Sequence, residues 1–583
     1  MIFAKRKRMY MHAKTSPAPN RWLFIGLVII MGLATATALA QTTTSDRTVS
    51  SETKVNASSS PTKPSDTLGL YPSADFTISV KGSPVKPALR QAAWYFRDDV
   101  IGVPRAGLPV AGYETSVHAF TDLKHWTATR ADTAVIDYPP FVWLAAPQHI
   151  RHAKLTDNAR SVVTPSATLP FQIVPKLPLN QSYANASSIA FFSSREVSLR
   201  GTTGTNSFVA RTIWPEDFQL GPNAPILRNL PSTPPQEALR KLMQEFPRGT
   251  TNQPYSAVTL WQRPGTSSNL AGRPIIGIMV NGAQGDDDEA HGGHFAIVTG
   301  RIQQDGYIGN WLVNNFYSLD VESEKGIIAA VAPLDNYMGD LNAGQGWYRP
   351  TTMLVVVLEN DQAVALAQSA INRVFNQFYR HQLTYFHPNQ NCASISIDTL
   401  RAIGWHVPRR GPTSRTLAWL AYPIVAIKDL SIAKGKLAFD YLRTDQTRLL
   451  PAAALEETFA SLLGMTQASS SRRDGKLEAL MKRDMQALAF INFPQFPSSR
   501  AFGGPPAAST WDYRTLVPSD PTMMKIIPVP PRPFPPELRD PDLLSSPWTP
   551  ADYATLSWGI LVFVILPLLL LRWRKRRQAR SPA

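Results

Sequence analysis

Between residues 274 and 405 the apolar positions fall into short unbroken runs and then change to a helical period. Ile275–Val280, Phe295–Thr299, Trp311–Tyr317 and Met353–Leu358 each predict a strand, and Asp305-Gly306 marks a tight turn between the second and third. After them, Val364, Ala367, Ile371, Val374 and Phe378 lie on one stripe, which predicts a helix capped by Asn360. A second helix is predicted from Cys392 to a stop at Gly404. Strands, a helix and a Cys-headed helix packed on the sheet make an α+β domain over residues 273–410.

The flanks read differently. Residues 70–272 carry short apolar runs broken by Pro, Gly and Asn, such as Asp75–Val80, Phe141–Ala145 and Ser188–Phe192, and predict a β-rich N-terminal domain with a helix near Pro235–Phe246. Residues 411–500 read as a helical extension. Its apolar run Leu417–Ile427 is too short to span a bilayer and predicts a core helix, with a membrane-surface or lid element as the alternative. Residues 41–69 form a Ser/Thr/Lys-rich linker, and 501–551 a Pro-rich stalk that includes Pro528–Pro536. No internal repeat is visible.

Both ends carry membrane signals. Lys5, Arg6, Lys7, Arg8, Lys14 and Arg21 precede an apolar stretch from Trp22 to Leu33 and the small-residue site Ala38-Leu39-Ala40, so residues 1–40 read as a signal peptide or signal anchor. Tyr553–Leu571 is uncharged and long enough to cross a bilayer, within a transmembrane helix expected over 552–572. Trp558 and Trp573 fit interfacial belts, and the basic tail 573–583, just after Arg572, places that end in the cytoplasm. The expected location is a bacterial plasma membrane, single-pass, with the bulk of the chain on the periplasmic side.

Charge then excludes a class. The first 21 and last 12 residues each hold six basic and no acidic residues; taking those twelve from the formal +16 leaves +4 for everything else. A nearly neutral body is a poor nucleic-acid binder, despite a basic total.

The candidate chemistry centres on the single cysteine, Cys392. In an oxidising compartment cysteines are normally absent or paired, so a lone thiol suggests either a nucleophile or a small buried hydrophobe. Its place at a helix start, with Asn389 or Asn391 as cap, favours a thiolate. A Cys nucleophile needs an imidazole base and a polar group to orient it. In Glu289-Ala-His291-Gly-Gly-His294, His294 opens a strand and is the first choice, with His291, His387 and His381 as alternatives. If Asp305-Gly306 closes the hairpin, paired positions sum to 611, which sets His294 diagonal to Asn315 on one face and turns Asn314 to the other. His149 and His152 have a ligand-like spacing, but no further Cys or His pair completes a metal set, and His118 and His125 read as ordinary histidines. No cofactor motif appears.

The elements Gly293-His294-Phe295, Val313–Phe316, the helix after Val355–Leu358, and Tyr385-Phe-His-Pro-Asn-Gln-Asn391-Cys392 resemble the circularly permuted branch of the NlpC-type papain-like superfamily. More narrowly they resemble the bacterial envelope family known as domain of unknown function 4105, some of whose relatives are lipoprotein N-acyltransferases. The resemblance covers residues 275–405 and implies a Cys nucleophile at Cys392 and a His base at His294. The doubled Asn314-Asn315 leaves the third residue open between them. The expected reaction is acyl transfer or hydrolysis on a membrane lipid or lipoprotein through a thioester. The alternatives are a cell-wall amidase or peptidase acting on peptidoglycan, and an envelope scaffold with a structural cysteine.

Overall fold

The computed structural model describes residues 66–79, 95–96, 99–156, 158–173, 186–223, 234–244, 254–267, 269–282, 293–319, 328–347, 349–467, 473–497 and 566–578. Those up to 497 form a mixed α+β body with several sheets.

The central sheet has seven antiparallel strands, β9 (Ser256–Gln262), β10 (Pro274–Asn281), β11 (His294–Arg301), β12 (Leu312–Asn315), β13 (Ala330–Pro333), β14 (Thr351–Leu358) and β15 (Met485–Phe493), in the spatial order β9-β15-β14-β10-β11-β12-β13. Every residue of β10, β14 and β15 is buried, because the sheet is covered on both faces. This is the reason its strands read as unbroken apolar runs. Side chains alternate between the two cores: Ile276, Ile278, Phe295, Ile297 and Val356 face one, and Ile275, Met279, Ala296, Val298 and Val355 the other.

On the first face lie α5 (Gln362–Phe378), α6 (Cys392–Ala402), α10 (Pro451–Thr466) and α11 (Lys476–Asp484). The same core takes in the N-terminal three-stranded sheet β1 (Phe76–Ser79), β2 (Ile101–Pro104) and β3 (Val142–Trp143), and α1 (Ala119–Thr129). On the second face sits a closed five-stranded barrel of β4 (Gln148–Leu155), β5 (Ser161–Val163), β6 (Thr168–Ile173), β7 (Glu196–Thr203) and β8 (Phe208–Pro215). The sheet runs past the boundaries expected at 273 and 410, since its edge strand β9 precedes the first and its β15 follows the second.

Three sequence readings are corrected. Ser188–Phe192 lies in a helix, α2 (Ala186–Ser193), not a strand. Asp361, not Asn360, is the N-cap position of α5, and Asn360 instead donates to Asp484. The run Leu417–Ile427 is not core: it lies in α7 (Arg415–Lys428), which packs with α8 (Ile432–Arg443) and exposes Leu417, Trp419, Leu420, Ile424 and Ile427. The short helix α9 (Gln446–Leu449) follows. The helix near Pro235 is present as α3 (Pro235–Gln244), and α4 (Leu334–Gly339) bridges barrel and sheet.

The signal segment, the linker and the Pro-rich stalk lie outside the described residues, as does most of the expected span. Its last residues belong to α12 (Leu566–Gln578), which runs into the basic tail. No helix among the described residues is long and apolar enough to cross a membrane.

Candidate active site around Cys392

Cys392 is the first residue of α6, where backbone N–H groups lack intrahelical partners. Asn391, in extended conformation, fills the cap: its side-chain oxygen accepts from the N–H of Ala393 (3.0 Å) and Ser394 (3.1 Å). Its amide nitrogen donates to the carbonyls of His387 and Leu449. Asn391, one of the alternative site residues, is thereby committed to holding the helix start.

The start of α6 meets β11, where the backbone N–H of Phe295 acts on the Cys392 thiol. Phe295 follows His294 directly, so the thiol sits against the strand one residue beyond His294. Among the described residues no hydrogen bond joins the thiol to the His294 ring. His294 instead pairs through Nε2 with the side-chain oxygen of Asn315, whose amide nitrogen donates to the carbonyl of Ile328. That second bond sets the amide's orientation and makes its oxygen the group facing His294. An amide oxygen only accepts, so Nε2 carries the proton and Nδ1 is the basic nitrogen.

The strand register explains the Asn315 contact. Ile297 pairs with Asn314, Val298 with Val313 and Thr299 with Leu312, each summing to 611 as the turn argument required. The connection is longer than a two-residue turn: residues 302–311 loop out, with Gly306 at φ +74 closing on the Gln303 carbonyl. Asn314 points to the opposite face, bonding the Ile297 carbonyl and Gln368 of α5. His291 lies outside the described residues. His387 joins the site through rings: it packs on Tyr385 (5.0 Å between centroids) and on Tyr317 (5.7 Å), which also contacts His294 (6.1 Å). His381 sits just past the end of α5 at φ +58. The ligand-like spacing of His149 and His152 breaks at a bulge, where His152 turns to Glu196 and His149 into the barrel core against Ser198 and Asp335.

Two residues at the site had no role in the sequence reading. Tyr385 lies near Cys392, and its hydroxyl holds the thiol's proton affinity down while the buried thiol raises that of the phenol. The short bridge between Phe386 and Gln390 folds the segment back so that residue 385 reaches residue 392. Arg349, 2% exposed, is held by the Gln345 side-chain oxygen (2.6 and 2.9 Å) and the Gly282 carbonyl, one residue beyond the strand partner of His294. Its charge acts on Cys392 and His294 alike. Tyr385 had a signal in its place in the Cys motif; Arg349 had none, because only the tertiary fold brings it there.

The electrostatics correct one expectation. Cys392 is 4% exposed, and burial pushes its thiol up from its ordinary value, against the opposing pull of the Phe295 N–H, the Tyr385 hydroxyl, the Ala393 N–H and Arg349. The helix start and the imidazole were expected to lower it; loss of hydration outweighs them. Burial also lowers the His294 imidazole to about 3, helped by Arg349 and opposed by the bond to Asn315. Both groups rest neutral at physiological pH, as a thiol and a free base.

Comparison of the chain with protein-family models, with curated proteins and with solved structures gives no match.

Proposed function

We propose that Cys392 and His294 form an acyl-transfer centre acting on a membrane lipid or lipoprotein. The observation that carries this reading is the arrangement where α6 meets the start of β11: a capped helix N-terminus presenting a thiol, and a neutral histidine opening the strand with its basic nitrogen set by Asn315. In the reaction Nδ1 of His294 takes the thiol proton as Sγ attacks a carbonyl carbon. The tetrahedral intermediate collapses to a thioester as the imidazolium protonates the leaving group. Water or an amine then attacks the thioester with His294 again as base, and the thiol is restored. The Cys392 N–H, without an intrahelical partner at the helix start, serves as an oxyanion donor. The permuted papain-like assignment and the likeness to lipoprotein N-acyltransferases rest on the motifs and this geometry. The membrane-tethered, periplasmic placement rests on the charge pattern at the chain ends.

A hydroxylamine-labile fatty-acyl mass on the Cys392 peptide, found in protein from native membranes and accumulating in His294→Ala, is the expected result. A muropeptide mass there would assign the site to cell-wall hydrolysis instead. One observation favours a scaffold reading, the burial of Cys392. Absence of any adduct, with Cys392→Ala indistinguishable from wild type under envelope stress, would establish it.

A further inference from the structure

Helices α7 and α8 form a hairpin with its own small core of Ala418, Tyr422 and Phe439, separate from the two large cores. Gly435 permits the close crossing: a Cβ there would lie 2.7 Å from the Tyr422 carbonyl oxygen. The other side of α7 is apolar too. Between Leu417 and Ile427 all of its exposed residues are hydrophobic, namely Leu417, Trp419, Leu420, Ile424 and Ile427. At the tip, Leu430 is 92% exposed at φ +49, followed by exposed Ile432. A soluble helix keeps polar residues on its outer face, and a contiguous outward apolar stripe marks a docking surface.

We propose that the α7–α8 hairpin docks into the surface of an anionic lipid bilayer, with Leu430 at its leading tip. Charge complementarity selects this occupant. The hairpin, residues 415–443, carries Arg415, Lys428, Lys434, Lys436 and Arg443 against Asp429 and Asp440, which pair with Lys434 (3.6 Å) and Lys436 (2.7 Å), so a net charge of +3 remains beside the apolar stripe where headgroup phosphates would lie. Trp419 supplies the amphipathic ring that favours the interface. The chain's own end points the same way: residues 498–565 connect the body to α12, within the uncharged run Tyr553–Leu571 and its basic tail. Insertion of such an element reaches about 5–10 Å into the headgroup boundary.

The hairpin also has a mechanical link to the site. Its base is clamped where Gln446 bonds the Gly411 carbonyl and Arg401 of α6 pairs with Asp445 (3.0 Å). From there α9 returns to the Leu449 carbonyl, which accepts from Asn391, the cap of the Cys392 helix. Docking therefore fixes the orientation of α6 with respect to the bilayer.

The test is independent of chemistry at Cys392. Full-length Cys392→Ala protein carrying Leu430→Cys is labelled with an environment-sensitive dye and reconstituted in phosphatidylcholine vesicles with or without phosphatidylglycerol. Ser166→Cys, on an exposed barrel turn, is the reference. Expected are a blue shift and loss of emission to bromine-labelled acyl chains at 430 but not at 166, stronger with phosphatidylglycerol and weakened by Lys428→Glu with Lys434→Glu. Quenching by aqueous iodide but not by brominated lipid would overturn the proposal. So would a blue shift without lipid quenching: dependence on protein density would mean a second copy covers the stripe, and independence would mean the chain's own apolar end does.

Discussion

Asn315 presents its side-chain oxygen to Nε2 of His294 while its nitrogen is tied to the Ile328 carbonyl, so a single amide decides which imidazole nitrogen is basic. All of these groups are buried, and a wrong tautomer would leave two acceptors facing each other. His294→Ala should slow alkylation of Cys392 at neutral pH by about 10²-fold or more, the scale of a positioned base. Asn315→Ala should slow it less, and Asn315→Asp should raise the imidazole's affinity for protons and move the acid limb of the rate profile to higher pH. Equal rates in wild type and His294→Ala across the pH range would remove His294 from the base role.

The depressed imidazole has a consequence for stability. The folded state holds His294 neutral down to about 3, whereas the unfolded chain protonates it below its ordinary 6.5. The unfolded state binds the extra proton, so stability is fully present above about pH 6.5 and is lost as pH falls toward about 3, with a slope approaching about 1.4 kcal/mol per pH unit. His149 adds in the same direction: burial and the charges of Arg200 and Arg151 lower it, and Asp335 faces it at 3.5 Å. Urea unfolding from pH 7 to 4 should show His294→Gln losing less stability than wild type. Parallel curves would show that His294 is hydrated in the folded state.

The sequence carried the sheet and the cysteine helix because both obey local rules. Unbroken runs such as Met353–Leu358 require a strand covered on both faces, and Asn391 before an apolar period is a cap signal. The 611 register survived a longer loop than assumed because only the pairing, not the loop length, sets which Asn faces His294. Long-range effects were not legible. The thiol's raised proton affinity depends on how deeply α6 is covered, Arg349 reaches the site only through the tertiary fold, and α7 could not be told from a core helix because its apolar residues surround it. Ser188–Phe192 shows the remaining ambiguity: a short apolar run with no period fits strand or helix equally.

The described region before the barrel, which includes α1, is integral to the body, and one buried ion pair tests this. Asp122 of α1, 1% exposed, accepts from Arg373 of α5 (Nε, 2.8 Å), from Gln377 (2.7 Å) and from the Glu114 N–H (2.9 Å). Removing it strands a guanidinium and an amide at the back of the helix layer. Asp122→Ala should cost about 3–5 kcal/mol, the range for breaking a buried pair. Chemical denaturation would read it, and a cost under about 1 kcal/mol would mean that this contact is solvated like a surface pair.

Tyr385 offers the sharpest test of the thiol's surroundings. Its hydroxyl acts on the Cys392 sulfur by hydrogen bonding and opposes the effect of burial, together with the N–H groups of Phe295 and Ala393. Tyr385→Phe keeps the ring and its packing against Tyr317 and His387 while deleting that bond. A hydrogen bond to a charged group is worth about 1.5–3 kcal/mol, so the pH at which half the thiol reacts should rise by at least about one pH unit. The pH dependence separates this effect from misfolding: alkylation slows below the shifted midpoint and recovers above it, whereas a folding defect would slow it everywhere. An unmoved midpoint would show that the hydroxyl faces elsewhere and that Arg349 with the two N–H groups carries the whole of the opposition to burial.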